Sequence, residues 1–453
     1  MSTSGRISRS LALVAAAAVV AGLTTGLTSA PAHAAPTYDP APVKAGAGWL
    51  AGQLTDGLVH NQQYDFDDVG LSIDVALGLD GAGKKPTVVK QITKAVAKNV
   101  ASYTSFAPSV YAGATAKAAV LALSQDKDPR AFGGVDLVAQ LESRVSAVAP
   151  ITGRIEDAFD PADKFGGDFA NVIGQTYAAQ ALSLAGSTKA TSATAFLLLQ
   201  QCDKGYFRQY FTTDKTRADQ SCQGAPRAER GASTDATALA VLALQDVKGA
   251  RAKRAVKKAV AWLEDTQLTD GAFGDTGKAS AAGNTNSTGL AGWALGESGS
   301  VKAAGLAAAA VRAQQVVANP CARRLAKQVG AVAYDFDTLT DGQGTGITKK
   351  TGDQWRRASA QALPVLRWAP RAEGALSVTA PRTVSTGEKW TIRLTGVAPG
   401  QRVCGTTAGA SFEVWPKRKP VTRASVVFDE AGVRTYAVWV GDQHRDVTVR
   451  VTR

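Results

Sequence analysis

Histidine is scarce: the 453 residues contain three, at His33, His60 and His444. His33 sits in a leader read below as removed, and the other two fall in different domains. A His-built zinc site and a Ser-His-Asp triad are therefore not expected. Beyond the leader, no run is long and apolar enough to cross ~30 Å of hydrocarbon. Nor does a hydrophobic tail or sorting motif precede Val451-Thr452-Arg453, so no transmembrane anchor is expected. Aromatic residues make up 7%. The lysines and arginines are dispersed along helical faces rather than interleaved with aromatics, which argues against a nucleic-acid partner.

What is present begins with a processing signal. Arg6 and Arg9 precede the apolar run Leu11 to Leu23, and Ala32-His33-Ala34 is a small-x-small cleavage site. Residues 1–34 thus read as a secretory signal peptide, with an extracellular mature chain. Net charge is +13, and +11 once Arg6 and Arg9 are removed. Such a chain is drawn to anionic cell-envelope polymers. Four cysteines suit an oxidising compartment. Cys202 and Cys222 flank one polar insertion and are expected to pair, which would stabilise by ~3 kcal/mol in the chain-entropy account. Cys321 and Cys404 would then pair across a domain boundary, unless they are two buried thiols.

A ten-residue block recurs six times: Asp68 to Leu77, Ala114 to Leu123, Ile173 to Leu182, Asp235 to Leu244, Asn286 to Leu295 and Gln354 to Leu363. Apolar residues at 236, 239, 240, 243 and 244 follow the helical period. Ser233, Thr234, Asn284 and Thr285 supply N-caps, and Gly-rich punctuation follows each block. Each unit reads as an outer helix, a polar loop and an Ala-rich inner helix. Six such hairpins predict a mainly α chain, an α/α toroid over residues 35–370. From Leu376 onward the pattern alternates in period two, which predicts a small immunoglobulin-like β-sandwich over 374–453.

The segments Leu263-x3-Gln267-x3-Gly271-x-Phe273, Phe196-x3-Gln200-x4-Gly205-x-Phe207 and Trp49-x3-Gln53-x3-Gly57 carry a family likeness. They resemble the prenyltransferase and squalene-cyclase repeat, in which the Gln ties helix ends together, and the chain resembles secreted bacterial members of that group. The family spans several functions. Asp65-Phe66-Asp67-Asp68 looks like the D-x-D-D motif of class II terpene cyclases. The resemblance implies Asp67 as a proton-donating acid held by Asp65 and Asp68, a chemistry that needs a dry cavity. The acidic loop residues Glu156, Asp157, Asp160, Asp163 and Asp168, and Asp335, Asp337 and Asp341, leave open a polysaccharide-acting toroid, but no spacing singles out an acid and a base. The order of parts also resembles cobalamin carriers, so no cofactor is expected but cobalamin stands as a candidate ligand. The first reading is a non-catalytic binding protein for a small molecule or a cell-surface glycan. Its site would be a polar ring of inner-helix residues, Asp68, Gln175, Asp235, Asn286 and Gln354, with Trp293 as an apolar wall. A structural envelope protein is the remaining alternative. Oligomeric state is not written in these residues.

Overall fold

The computed structural model describes residues 38–162, 166–278, 282–407, 410–417, 421–441 and 443–453. The expected leader, 1–34, lies outside them. In chain order the helices are α1 (Ala41–Ala51), α2 (Val69–Gly81), α3 (Pro86–Thr104), α4 (Ala112–Ser124), α5 (Leu137–Glu142), α6 (Val172–Leu184) and α7 (Ala190–Leu199). There follow α8 (Thr234–Gln245), α9 (Ala250–Thr266), α10 (Thr285–Glu297), α11 (Val301–Arg312), α12 (Phe336–Thr345) and α13 (Gly352–Ala362). The six repeated blocks fall in α2, α4, α6, α8, α10 and α13. Each of these helices packs on the next, and α13 packs back on α2, so they form a closed ring. They run in one direction. Gly113 and Gly174 meet near the starts of α4 and α6, and the Gln245 amide donates to the Ser298 hydroxyl where α8 and α10 end.

Small residues permit this closeness. Ala118, Ala119, Ala178, Ala179, Ala238 and Ala291 are fully buried. A Cβ on Gly78 would collide with the Ala360 carbonyl of α13, so α2 and α13 touch backbone to backbone. Side-chain caps start the helices: Asp68 accepts from Leu71 N, Asn171 from Gly174 N, Ser233 from Ala236 N and Asn284 from Ser287 N. Outside the ring, α3, α5, α7, α9 and α11 each back the inner helix before them, and α1 backs α13. The last hairpin is thus made from both ends of the helical segment.

Four glutamines tie four of the six junctions between hairpins through main-chain atoms alone; Gln53, expected to make a further tie, instead donates to Trp49 O (3.4 Å) and accepts from Arg356. Gln201 Nε2 donates to Gly205 O (2.8 Å) and Ala255 O (2.9 Å), and Gln267 Nε2 to Gly271 O and Ala303 O (both 2.9 Å). Gln315 donates to Gly330 O and Pro42 O, and Gln175 to Gly153 O and Ala193 O. Each accepting glycine has a positive φ, and a Cβ there would strike the carbonyl of the adjoining outer helix. The residue two places after each glycine donates its N–H to an inner-helix side chain: Phe207 to Thr237, Phe273 to Thr288, Val332 to Ser359 and Ile155 to Gln175. In the third unit one side chain, Gln175, fills both roles. Gln200, assigned the tie from the sequence, instead accepts from Arg208; the spacing belongs to Gln201.

Short strands frame the loops: β1 (Leu54–Thr55), β2 (Leu58–Asn61), β3 (Phe66–Asp68), β4 (Ser105–Phe106), β5 (Ser109–Val110), β6 (Phe207–Arg208) and β7 (Ala232–Ser233). The C-terminal strands are β8 (Ser377–Thr379), β9 (Thr383–Ser385), β10 (Lys389–Thr395), β11 (Val403–Thr407), β12 (Ala410–Val414), β13 (Val421–Val427), β14 (Gly432–Val440) and β15 (Gln443–Thr452). They form two sheets, β13-β10-β8 and β12-β11-β14-β15-β9, around a core of Trp390, Ile392, Tyr436, Val438 and Val449.

Both expected disulfides form, Cys202–Cys222 and Cys321–Cys404. The second joins the β domain to the ring. Beside it Arg402 donates to Ala313 O (2.8 Å) and pairs with Glu413 (2.6 Å), Gln343 donates to Glu413 (2.8 Å), and Phe336 stacks on Trp415. No helix among the described residues is long and apolar enough to cross a membrane.

Candidate functional site

One face of each inner helix packs on an outer helix and its flanks pack on neighbours. The remaining stripe is the only partly exposed one, and it faces the lumen. It holds Asp74 on α2, Lys117 on α4, Tyr177 on α6, Asp235 on α8, Asn286 on α10 and Arg357 on α13. Leu77, Ile173, Leu239 and Leu242 add apolar wall between them. The lumen is therefore polar and charged on one side.

Lys117 anchors the charged side. Its ammonium lies 2.6 Å from Asp74 Oδ1 and donates to Gly70 O at 3.0 Å. Burial alone lowers a lysine pKa, but the Asp74 carboxylate, with the neighbouring Tyr103 and Tyr177, outweighs it and the Lys117 pKa is raised. Lys117 stays charged. Burial raises Tyr177 in turn, so its phenol stays protonated. Arg357 differs. Its side chain is 45% exposed, and it reaches Asp68 and Asp74 only at 3.7 Å. That is beyond hydrogen-bond distance, so its planar fork of donors is open to a carboxylate or phosphate.

The facing wall offers acceptors. Asn286 donates its Nδ2 to Gln361 Oε1 at 2.7 Å, leaving its buried Oδ1 without a partner. On the adjacent helix, Asp235 Oδ1 is likewise buried and unpartnered. Burial raises the Asp235 pKa, against a hydrogen bond from Ser287 that lowers it, and Asp275 raises it further. Gln354, at the start of α13, is exposed.

Two expected contacts lie elsewhere. Gln175 points away from the lumen, is fully buried and is consumed by the tie described above. Trp293 reaches across the lumen's far end to Gly81 and donates to Glu297 at 3.3 Å, where Arg367 also pairs with Glu297 at 2.6 Å.

The D-x-D-D segment is a surface hairpin. Asp67 lies on β3, 55% exposed, bonded to His60 Nδ1 at 2.9 Å, and Asp65, 96% exposed, meets His60 Nε2 at 3.2 Å. These carboxylates raise the His60 pKa, the Asp67 hydrogen bond most. Asp68 caps α2. The hairpin gives Asp67 none of the dry enclosure that an alkene-protonating acid needs. Three of the other loop acids are also committed locally, and Asp163 lies outside the described residues. Asp157 accepts from Ala112 N and Phe169 N, Asp168 pairs with Arg154 and Lys215, and Asp335 caps α12.

Sequence reasoning missed Asp74, Lys117 and Arg357. The signal was available: they are charges inside otherwise apolar inner-helix blocks.

No protein family matches the chain, and no curated protein does. Solved structures do resemble it. A protein from Actinoplanes matches at 17% identity over 72% of this chain and 98% of that one, with a TM-score of 0.48. The type II terpene cyclase MstE from Scytonema with geranylgeranyl dihydroxybenzoate matches at 14% identity over 72% and 96%, TM-score 0.48. The apo form of the same cyclase matches at 14% over 72% and 96%, TM-score 0.45.

Proposed function

We propose that this is a secreted, non-catalytic binding protein that holds a small polar molecule bearing an anionic group in the lumen of its helical toroid. The observation that carries this reading is a pair of buried oxygens on adjacent lumen-facing helices, Asn286 Oδ1 and Asp235 Oδ1, each without a partner although the Asp235 carboxyl also accepts from Ser287. Buried acceptors favour a donor partner, and a guest with hydroxyl or amine groups in the lumen would supply one to each. The open guanidinium of Arg357 takes the anionic end. Two disulfides support an extracellular setting. The surplus positive charge on outer helices such as α9 supports loose contact with anionic envelope polymers. The C-terminal unit is read as an immunoglobulin-like sandwich, supported by its two facing sheets and the parallel pairing of β9 with β15.

One observation favours an enzyme instead. Asp235, with its pKa raised by burial, is a lumen-facing acid, so a cyclase-like proton donor would be Asp235 rather than Asp67.

The test is native mass spectrometry of protein purified from its own culture medium, beside the denatured spectrum. The expected result is an extra mass lost on denaturation and absent from Arg357→Ala, and that mass also decides whether the guest is a corrinoid. A bare polypeptide in the wild type, or a guest retained by Arg357→Ala, refutes the reading.

A further inference from the structure

Seven exposed aromatic rings occur among the described residues of the helical segment, and all lie in loops, short strands or the start of α12 at one end of the ring. They are Tyr64, Phe66, Phe106, Phe159, Phe169, Tyr210 and Phe336. Phe106 is 77% exposed and Tyr64 70%. Each loop is tied to the start of an inner helix. Tyr64 and Phe66 lie on the hairpin leading into α2, and Phe106 lies on β4, just before α4. The Phe159 loop is held by Val110 N donating to Ala158 O at 2.9 Å, and the Tyr210 loop by Val172 N donating to Gln209 O at 3.0 Å. Phe336 follows Tyr334, whose carbonyl accepts from Thr285 N at the start of α10. The rings therefore crown the mouth of the lumen at the starts of α2, α4, α6 and α10. The β domain reaches the crown, where Trp415 stacks on Phe336 at 4.9 Å.

Exposed aromatics of this number on one face mark a binding surface. Their neighbours select the partner. Exposed carboxylates sit beside them in sequence: Tyr64-Asp65-Phe66-Asp67, Phe159-Asp160 and Phe336-Asp337. An anionic lipid surface would bring its headgroups against these carboxylates, a like-charge contact. A sugar chain fits both features. Aromatic faces cover the C–H faces of pyranose rings, and carboxylates accept hydrogen bonds from sugar hydroxyls. Exposed cations share this end, Arg217, Arg227 and Arg230 on the loop before α8 and Lys349 and Lys350 before α13, so the crown carries both signs and no net charge selects an anionic partner, while further positive charge lies on outer-helix residues such as Lys90, Lys94 and Lys98 of α3 and Arg254, Lys257 and Lys258 of α9.

We infer that the loop crown is a docking surface for an uncharged polysaccharide, a second site beside the lumen.

Pelleting assays test this with the full mature protein, using insoluble cellulose, chitin and β-1,3-glucan as probes, beside vesicles of phosphatidylglycerol and phosphatidylcholine. The expected result is co-sedimentation with at least one polysaccharide that persists in about 1 M salt, where surface charge pairing is screened. The triple variant Tyr64→Ala, Phe106→Ala, Phe169→Ala should weaken it about tenfold or more while unfolding at the wild-type denaturant concentration. Arg357→Ala, which acts in the lumen, should bind the polysaccharide as wild type does, so failure of the lumen reading leaves this one standing. No co-sedimentation with any polysaccharide overturns the inference. So does sedimentation that the triple variant leaves unchanged, or salt-sensitive binding to the vesicles alone.

Discussion

Replacing Gln175 by Ala separates two accounts of one residue. As a tie, its side chain accepts from Ile155 N and donates to Gly153 O and Ala193 O, each at 2.9 Å and fully buried. Truncation removes three hydrogen bonds, strands the Ile155 N–H and takes one donor from each of the Gly153 and Ala193 carbonyls where water does not reach. At roughly 1 kcal/mol net per bond, with further cost for the orphaned N–H, the loss should come to about 3–5 kcal/mol. That is a large share of the ~5–15 kcal/mol that holds a typical domain. Urea unfolding followed by the far-UV helical signal reads it as a lower midpoint at unchanged slope. The matched control is Gln354→Ala, exposed at the start of α13, which should stay within about 0.5 kcal/mol of wild type. If Gln175→Ala unfolds within about 1 kcal/mol of wild type, the tie reasoning fails. If it does so while losing a bound guest, Gln175 is a ligand contact.

Two further outcomes follow from the structure. Replacing Cys321 and Cys404 together by Ala opens a cross-link spanning 83 positions, and the chain-entropy account gives a loss of about 4–5 kcal/mol. Limited proteolysis should then release the β domain faster than from the wild type, while the Cys202–Cys222 bond stays intact. The second concerns pH. Burial raises the Asp235 pKa, so the folded chain keeps a proton that the unfolded chain has already lost. Stability therefore falls as pH rises from the unfolded carboxylate value of about 4 through the folded one. Asp235→Asn should flatten that part of a stability–pH curve, and an unchanged slope would refute the assignment.

The ring was legible because its determinants are periodic and small. Alanines at helical spacing, recurring in six blocks, admit little except close-packed inner helices, and Gln267-x3-Gly271-x-Phe273 spells a tie whose partners are main-chain atoms. The slip at Gln200 came from adjacent glutamines, since only the count back from Gly205 separates Gln200 from Gln201. Gln175 misled for a physical reason. Its block position faces outward, where Thr237 and Thr288 receive the loop in other units. Aligned helix starts do not say which of their residues turn inward. The lumen charges show the converse. Lys117 and Asp74 are opposite charges on neighbouring helices, visible in the sequence as exceptions within apolar blocks, but their pairing follows only from the packing of α4 on α2. The aromatic crown was the hardest to see, because its members belong to separate loops with no common spacing.

The pairing of α1 with α13 makes assembly of the ring a matter of timing. A growing chain that has emerged only as far as α11 holds five helical hairpins and a first helix without its mate. The sixth wall arrives some three hundred residues after the helix that must cover it, among the longest loop closures the chain makes. Until then the partial ring exposes apolar edges at α2 and α10, the surfaces on which such intermediates aggregate. Closure is thus a late, clasp-like event. Arg356, which donates to Gln53 Oε1 and His60 O across that seam, helps fasten it.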